Sequence, residues 1–82
     1  MDLTIITPTQ TRTYQIAWLE LNTPQGNMIV QRGHVPMIVT VIAHQPITFR
    51  LKSGKQETIL PRAAIVEISR ESASVILSEL DQ

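Results

Sequence analysis

"TPQGNMIVQRGHVPMIV", Thr23 to Val39, places a Pro-Gln-Gly turn and an Arg-Gly-His turn around a short apolar run, then begins a second run at Pro36. Two turns so close together leave room for strands of only a few residues between them. The rest of the chain reads the same way. Ile, Val and Thr are abundant, and their branched side chains favour the pleated surface of a strand over a helix. "LTIIT" (Leu3 to Thr7) forms a first strand stopped by Pro8, and "YQIAWLELN" (Tyr14 to Asn22) a second. In a single alternation the second strand sets Ala17, Leu19 and Leu21 on one face and Tyr14, Ile16 and Trp18 on the other. That second face is too apolar to be wholly wet, so a loop or a partner is expected to cover it.

Beyond Gly33, "PMIVTVIA" (Pro36 to Ala43) is apolar on both faces, the pattern of a strand inside a packed sandwich. "ITFRLK" (Ile47 to Lys52) alternates, with Ile47, Phe49 and Leu51 inward and Thr48, Arg50 and Lys52 outward, and "SGK" supplies a hairpin turn to "ETIL" (Glu57 to Leu60). "AAIVEIS" and "ASVILSEL" complete the set around a turn at Arg70, Glu71 and Ser72, and the last few residues could form a helical stub. Short strands with turns every eight to twelve residues predict an all-β fold, a sandwich or barrel, and one domain over residues 1–82.

Eighty-two residues support one small core, and without cysteine there is no disulfide framework or thiolate zinc site. Seven basic and seven acidic residues cancel, so no global field draws the chain to nucleic acid or anionic lipid. No apolar run approaches the roughly 20 residues that span a bilayer, and "MDLTIITP" has neither the basic region nor the long apolar core of a signal peptide. A soluble protein that finds its partners by shape is expected.

Catalysis needs titratable groups that converge. The aspartates, Asp2 and Asp81, lie at the two ends, and Glu20, Glu57, Glu67 and Glu71 are scattered. His34 and His44 stand ten residues apart with no third ligand in view, where zinc takes three or four. Ser53-Gly54-Lys55 lacks the earlier glycine and the following helix of a phosphate loop. Arg50, Lys52 and Lys55 make a small basic face without interleaved aromatics for stacking bases. Trp18 is either an interface anchor or part of the core. The residues by themselves thus describe a β domain with no visible reaction: no enzyme, no cofactor and no metal are expected.

At the opening stretch the chain resembles the N-terminal β-sandwich domain of the F-type ATP synthase epsilon subunit, whose members carry a segment close to T-x-x-G-E-I-G-V-L-P-G-H-A-P-L-I. Thr23, Gly26, Val30, Gly33, His34 and Pro36 match it without a gap, followed by the apolar pair Met37 and Ile38. "ITP" near the N-terminus, "AAIVEIS" and "ASVIL" are similar to the flanking segments, so the likeness runs over nearly the whole chain. Asn27 replaces an acidic residue, Ile29 a glycine, Gln31 and Arg32 a Leu-Pro pair, and Ala63 and Ala64 two glycines. Alanine resists positive φ, so those turns either relax or never needed it.

The resemblance implies an antiparallel β-sandwich of two sheets and a non-catalytic rotor-stalk subunit that links the gamma subunit to the membrane c-ring during proton- or sodium-coupled ATP synthesis. It implies that Gly26 and Asn27 face the c-ring loops and that His34 and its neighbours lie nearer gamma, with Met28, Arg32 and Trp18 as further contact candidates. Shape-led contact on the order of 1,600 Å² is expected. The implied location is the cytoplasmic, inner face of an energy-coupling membrane, reached through the complex without insertion. Family members continue into a C-terminal helical hairpin that restrains ATP hydrolysis, so a chain ending at Gln82 is not expected to inhibit alone. The alternative is a generic β-sandwich protein-protein adaptor unrelated to ATP synthase.

Overall fold

A computed structural model describes residues 1–80. Eight strands follow one another: β1 (Asp2–Ile6), β2 (Thr11–Thr23), β3 (Gly26–Val30), β4 (Met37–Thr40), β5 (Ile47–Leu51), β6 (Gln56–Ile59), β7 (Pro61–Ile68) and β8 (Ser72–Leu80). They hydrogen-bond in the order β4-β7-β8-β1-β2-β5-β6, and β3 pairs with β2 beside this path. The expected helical stub is instead the end of β8 as far as Leu80, and Asp81 and Gln82 lie outside the described residues.

The sandwich arises because one strand serves both layers. β2 is 13 residues long; its first part, Thr11–Gln15, pairs with β1, and its later part, Leu19–Thr23, pairs with β3. β5 runs along its other edge. Sheet A is therefore β4-β7-β8-β1-β2 and sheet B is β3-β2-β5-β6, two halves of one continuous path that does not close into a barrel. The thinnest dimension, 18 Å, accommodates two layers packed about 10 Å apart. Every pairing is antiparallel except β1 with β8, which is parallel (Leu3↔Ala73, Ile5↔Val75), so the expected antiparallel sandwich is a mixed one.

A bulge lets β2 turn the corner. The register against β5 shifts between Ile16 and Trp18, and an extra residue on one strand reverses which side chains point inward. Ile16 is buried before the bulge, Leu19, Leu21 and Thr23 after it, and Ala17 is exposed. This corrects the single alternation expected for "YQIAWLELN": Ala17 does not share a face with Leu19 and Leu21, and Ile16 belongs to the core. The buried residues of both apparent faces, Ile16 on one side and Leu19 and Leu21 on the other, belong to two period-two segments out of phase, and Trp18 stays outside.

Both halves contribute to one core. Leu3, Ile16, Leu19, Leu21, Val30, Val66 and Val75 have no exposed surface, and Phe49 closes over them with its ring centroid 5.2 Å from that of Tyr14. "PMIVTVIA" is a second correction. It yields only the four-residue β4 at the edge of sheet A, with Met37 and Ile38 exposed and Val39 packed on the core.

The β2–β3 turn depends on Gly26, whose φ of +122° is strained for any residue with a Cβ. Thr23 fastens the turn: its hydroxyl donates to the Gly26 carbonyl at 2.9 Å and accepts from the Gln25 amide at 3.2 Å. No atom stands in the way of a side chain at Gly26, so backbone strain alone sets the effect of a substitution. Gly26→Ala is expected to cost about 1 kcal/mol or more, read as a lowered urea midpoint at unchanged slope. Ala63 and Ala64 need no such freedom. His44 is the one non-glycine with positive φ among the described residues, and the pair sits at register shifts in the β7–β8 ladder.

Candidate partner-binding surfaces

The loop joining β3 to β4 is held against the opposite turn. Gly33, at φ +89°, donates its amide to the Arg70 carbonyl at 2.6 Å, and the Arg32 guanidinium meets the Glu71 carboxylate at 2.9 Å. Both charged side chains are 74% exposed, so solvent screens the pair and the backbone bond does more to fix the loop. His34 donates its amide to the Gln31 carbonyl at 3.1 Å, and its Nδ1 lies 2.9 Å from the Val35 carbonyl, to which it donates in the matching tautomer. The imidazole is thereby turned onto its own loop. His44 lies in the β4–β5 connection, and no three His, Asp or Glu side chains gather to hold a metal among the described residues.

Gly26 and Asn27 lie where the β2–β3 hairpin enters β3, and both are exposed. Asn27 is not loose there. Its Nδ2 donates to Glu20 Oε2 and to Asn22 Oδ1, both at 3.1 Å, tying the turn to the outer face of sheet B. Trp18 lies on that face opposite Arg50, partly buried but outside the set of residues packed on the core. Ile29, across from Glu20, is 53% exposed beside it. Met28 points the other way and packs on the core. The six candidate residues thus divide: Trp18 and Asn27 on the outside of sheet B, Gly26 at its end, Arg32 and His34 in the stapled loop, and Met28 within.

A further surface escaped the sequence reading. On the outside of sheet A, Ile65 pairs with Ile76 and Ile76 with Ile6, while Thr40 continues the row onto β4. Ile65 is 45% exposed and Ile38, next along β4, 71%. A shallow depression of about 380 Å³ lies here, lined by Ile65, Ile76, Ala63, Ala64 and Arg62 among others. Its signal was present in the sequence, because outward positions of β7 and β8 that ought to be polar carry Ile65 and Ile76.

Neither a protein-family model nor a curated protein matches the chain. Solved structures do. One is a chain from the Tetrahymena thermophila mitochondrial ATP synthase, central stalk and c-ring, with a TM-score of 0.82 and 13% identity over 100% of this chain. This chain is similar to chains of mitochondrial ATP synthase. A second match, from the Euglena gracilis mitochondrial ATP synthase (OSCP, F1 and c-ring), has a TM-score of 0.85 and 16% identity over 96% of this chain. At such identities the likeness is one of fold. The chain spans 66% and 51% of the lengths of those two chains.

Proposed function

We propose that the chain is a non-catalytic stalk subunit of an F-type ATP synthase, standing between the gamma subunit and the c-ring. The observation that carries this reading is the match of the whole sandwich to ATP synthase chains at TM-scores of 0.82 and 0.85. The register of Gly26, Gly33, His34 and Pro36 supports it from the sequence side. We assign the exposed apolar row of sheet A, together with the His34 loop, to gamma, because an apolar patch on an otherwise polar sheet face is a docking surface. The Gly26–Asn27 turn at the end of sheet B is assigned to the c-ring loops. Asn27 stands in place of the family's acidic residue and is held by Glu20 and Asn22, so this contact is led by shape and by hydrogen bonds. The role places the chain at the membrane surface through its partners, on the inner, cytoplasmic side.

Mixing the purified chain with gamma and c-ring from the same source tests the reading. A stable ternary complex is expected; failure to hold either partner would return the chain to the generic adaptor class. Trp18→Ala sharpens the test. Because Trp18 stands outside the core, the variant is expected to keep its thermal midpoint within a few degrees. Trp18 shares the outer face of sheet B with Asn27, so loss of its contact is expected to weaken binding of the c-ring by about tenfold or more.

A further inference from the structure

We propose that β4 adds a strand: its free edge pairs, backbone to backbone, with an extended uncharged segment of the stalk partner. The direction of the β4 groups follows from the register. Val41 donates its amide to the Ala64 carbonyl at 3.3 Å, and Val39↔Val66 and Met37↔Ile68 continue that series. In an antiparallel pair, hydrogen-bonded and non-bonded positions alternate. Ile38 and Thr40 therefore turn their amides and carbonyls away from β7. Ile42, in the same phase, donates its amide to the Asn22 carbonyl at 2.9 Å, so groups of this row take a backbone partner where one is in reach.

Folded proteins blunt free edges with lysine, proline, bulges or inward charges. β4 has none of these: Met37-Ile38-Val39-Thr40 is uncharged and its register against β7 is unbroken. The edge strand at the other end, β6, carries Glu57, paired at 3.3 Å with Lys55. Beside β4 runs a groove of about 500 Å³, bounded by the β2–β3 hairpin and lined by Thr23, Asn27, Met28, Ile38 and Thr40 among others, with no ionisable side chain. A charged segment would be desolvated there without a counter-charge, whereas a neutral strand meets hydrogen-bonding groups and apolar contacts.

A second copy of this chain is a poor occupant. Four paired residues span only about 13 Å and bury far less than the roughly 1,200 Å² of a stable interface. The occupant must be held elsewhere as well. Thr40 pairs with Ile65, which makes the edge continuous with the apolar row assigned above to gamma, and the inference rests on that assignment.

Amide hydrogen exchange on the chain, free and bound to gamma, is the test. Ile38 and Thr40 amides are expected to exchange at least about tenfold more slowly in the complex, with β6 edge amides unchanged. Ile38→Pro, at a position that gives no hydrogen bond to β7, is expected to fold and to bind about tenfold more weakly. A complex in which the Ile38 and Thr40 amides exchange as in the free chain overturns the strand pairing and leaves the stalk reading standing. No complex at all overturns both. Protection that instead rises with the concentration of the free chain, with a dimer in sedimentation, assigns the edge to a second copy and overturns the proposal.

Discussion

Phe49→Ala is expected to lower the stability of this domain by about 3–5 kcal/mol, enough to leave much of it unfolded at physiological temperature. Phe49 is 2% exposed, faces Glu57 across β6 and packs its ring near Tyr14. It is the only phenylalanine in the chain, and among the described residues no larger side chain is fully buried. Removing it forfeits the transfer free energy of the ring and leaves a void between two sheets joined along β2, which cannot collapse freely. Total stability for a domain of this size lies toward the low end of about 5–15 kcal/mol. Urea unfolding followed by tryptophan fluorescence measures the loss. A shift worth less than about 1 kcal/mol would mean that the core repacks around the gap.

Ile65→Glu is expected to act on assembly and leave the fold alone. Ile65 is 45% exposed at the middle of the outer row of sheet A and pairs with Ile76, so a glutamate there is expected to lower stability by only about 1 kcal/mol. Against a partner, the same carboxylate would be desolvated beside Ile76, and a central apolar contact would be lost. Together these cost about 2–4 kcal/mol of binding, or about 30- to 1,000-fold in the dissociation constant for gamma. Titration calorimetry with gamma reads it, and Ile65→Val serves as the control that keeps the row apolar. Undiminished binding by Ile65→Glu would show that gamma docks on another face.

Most strands were legible because each keeps a clean period of two between turn residues, as Ala73, Val75 and Leu77 do; in β5 the expected outward Thr48 is buried, its hydroxyl 3.2 Å from that of Thr58 on β6. What failed was any feature that interrupts the period. The bulge in β2 joins two correct alternations out of phase, and a reading with one phase has to misplace Ala17. In β4 the composition of an edge and of a buried strand coincide, since "MIVT" is apolar on both sides and only the neighbours decide. The candidate site was legible as a stretch of chain and much less so as a surface. Gly33 and Arg32 act through Arg70 and Glu71, far away in sequence, and whether Met28 or Ile29 faces solvent depends on the register of β3 against Leu21 and Glu20. The parallel pairing of β1 with β8 brings the two ends of the domain together and leaves no local trace.

The long β2 strand has a mechanical consequence. At about 3.3 Å per residue, its 13 residues form a tie roughly 40 Å in contour from the β1 hairpin to the turn at Gly26. A pull applied at that turn reaches sheet A through peptide bonds, with ladders on both edges loaded in shear, where many hydrogen bonds share the force. In a domain whose layers met only through side chains, the same pull would pry the layers apart. In the proposed stalk role, one covalent strand running through both halves carries a load from one to the other without relying on side-chain contacts alone.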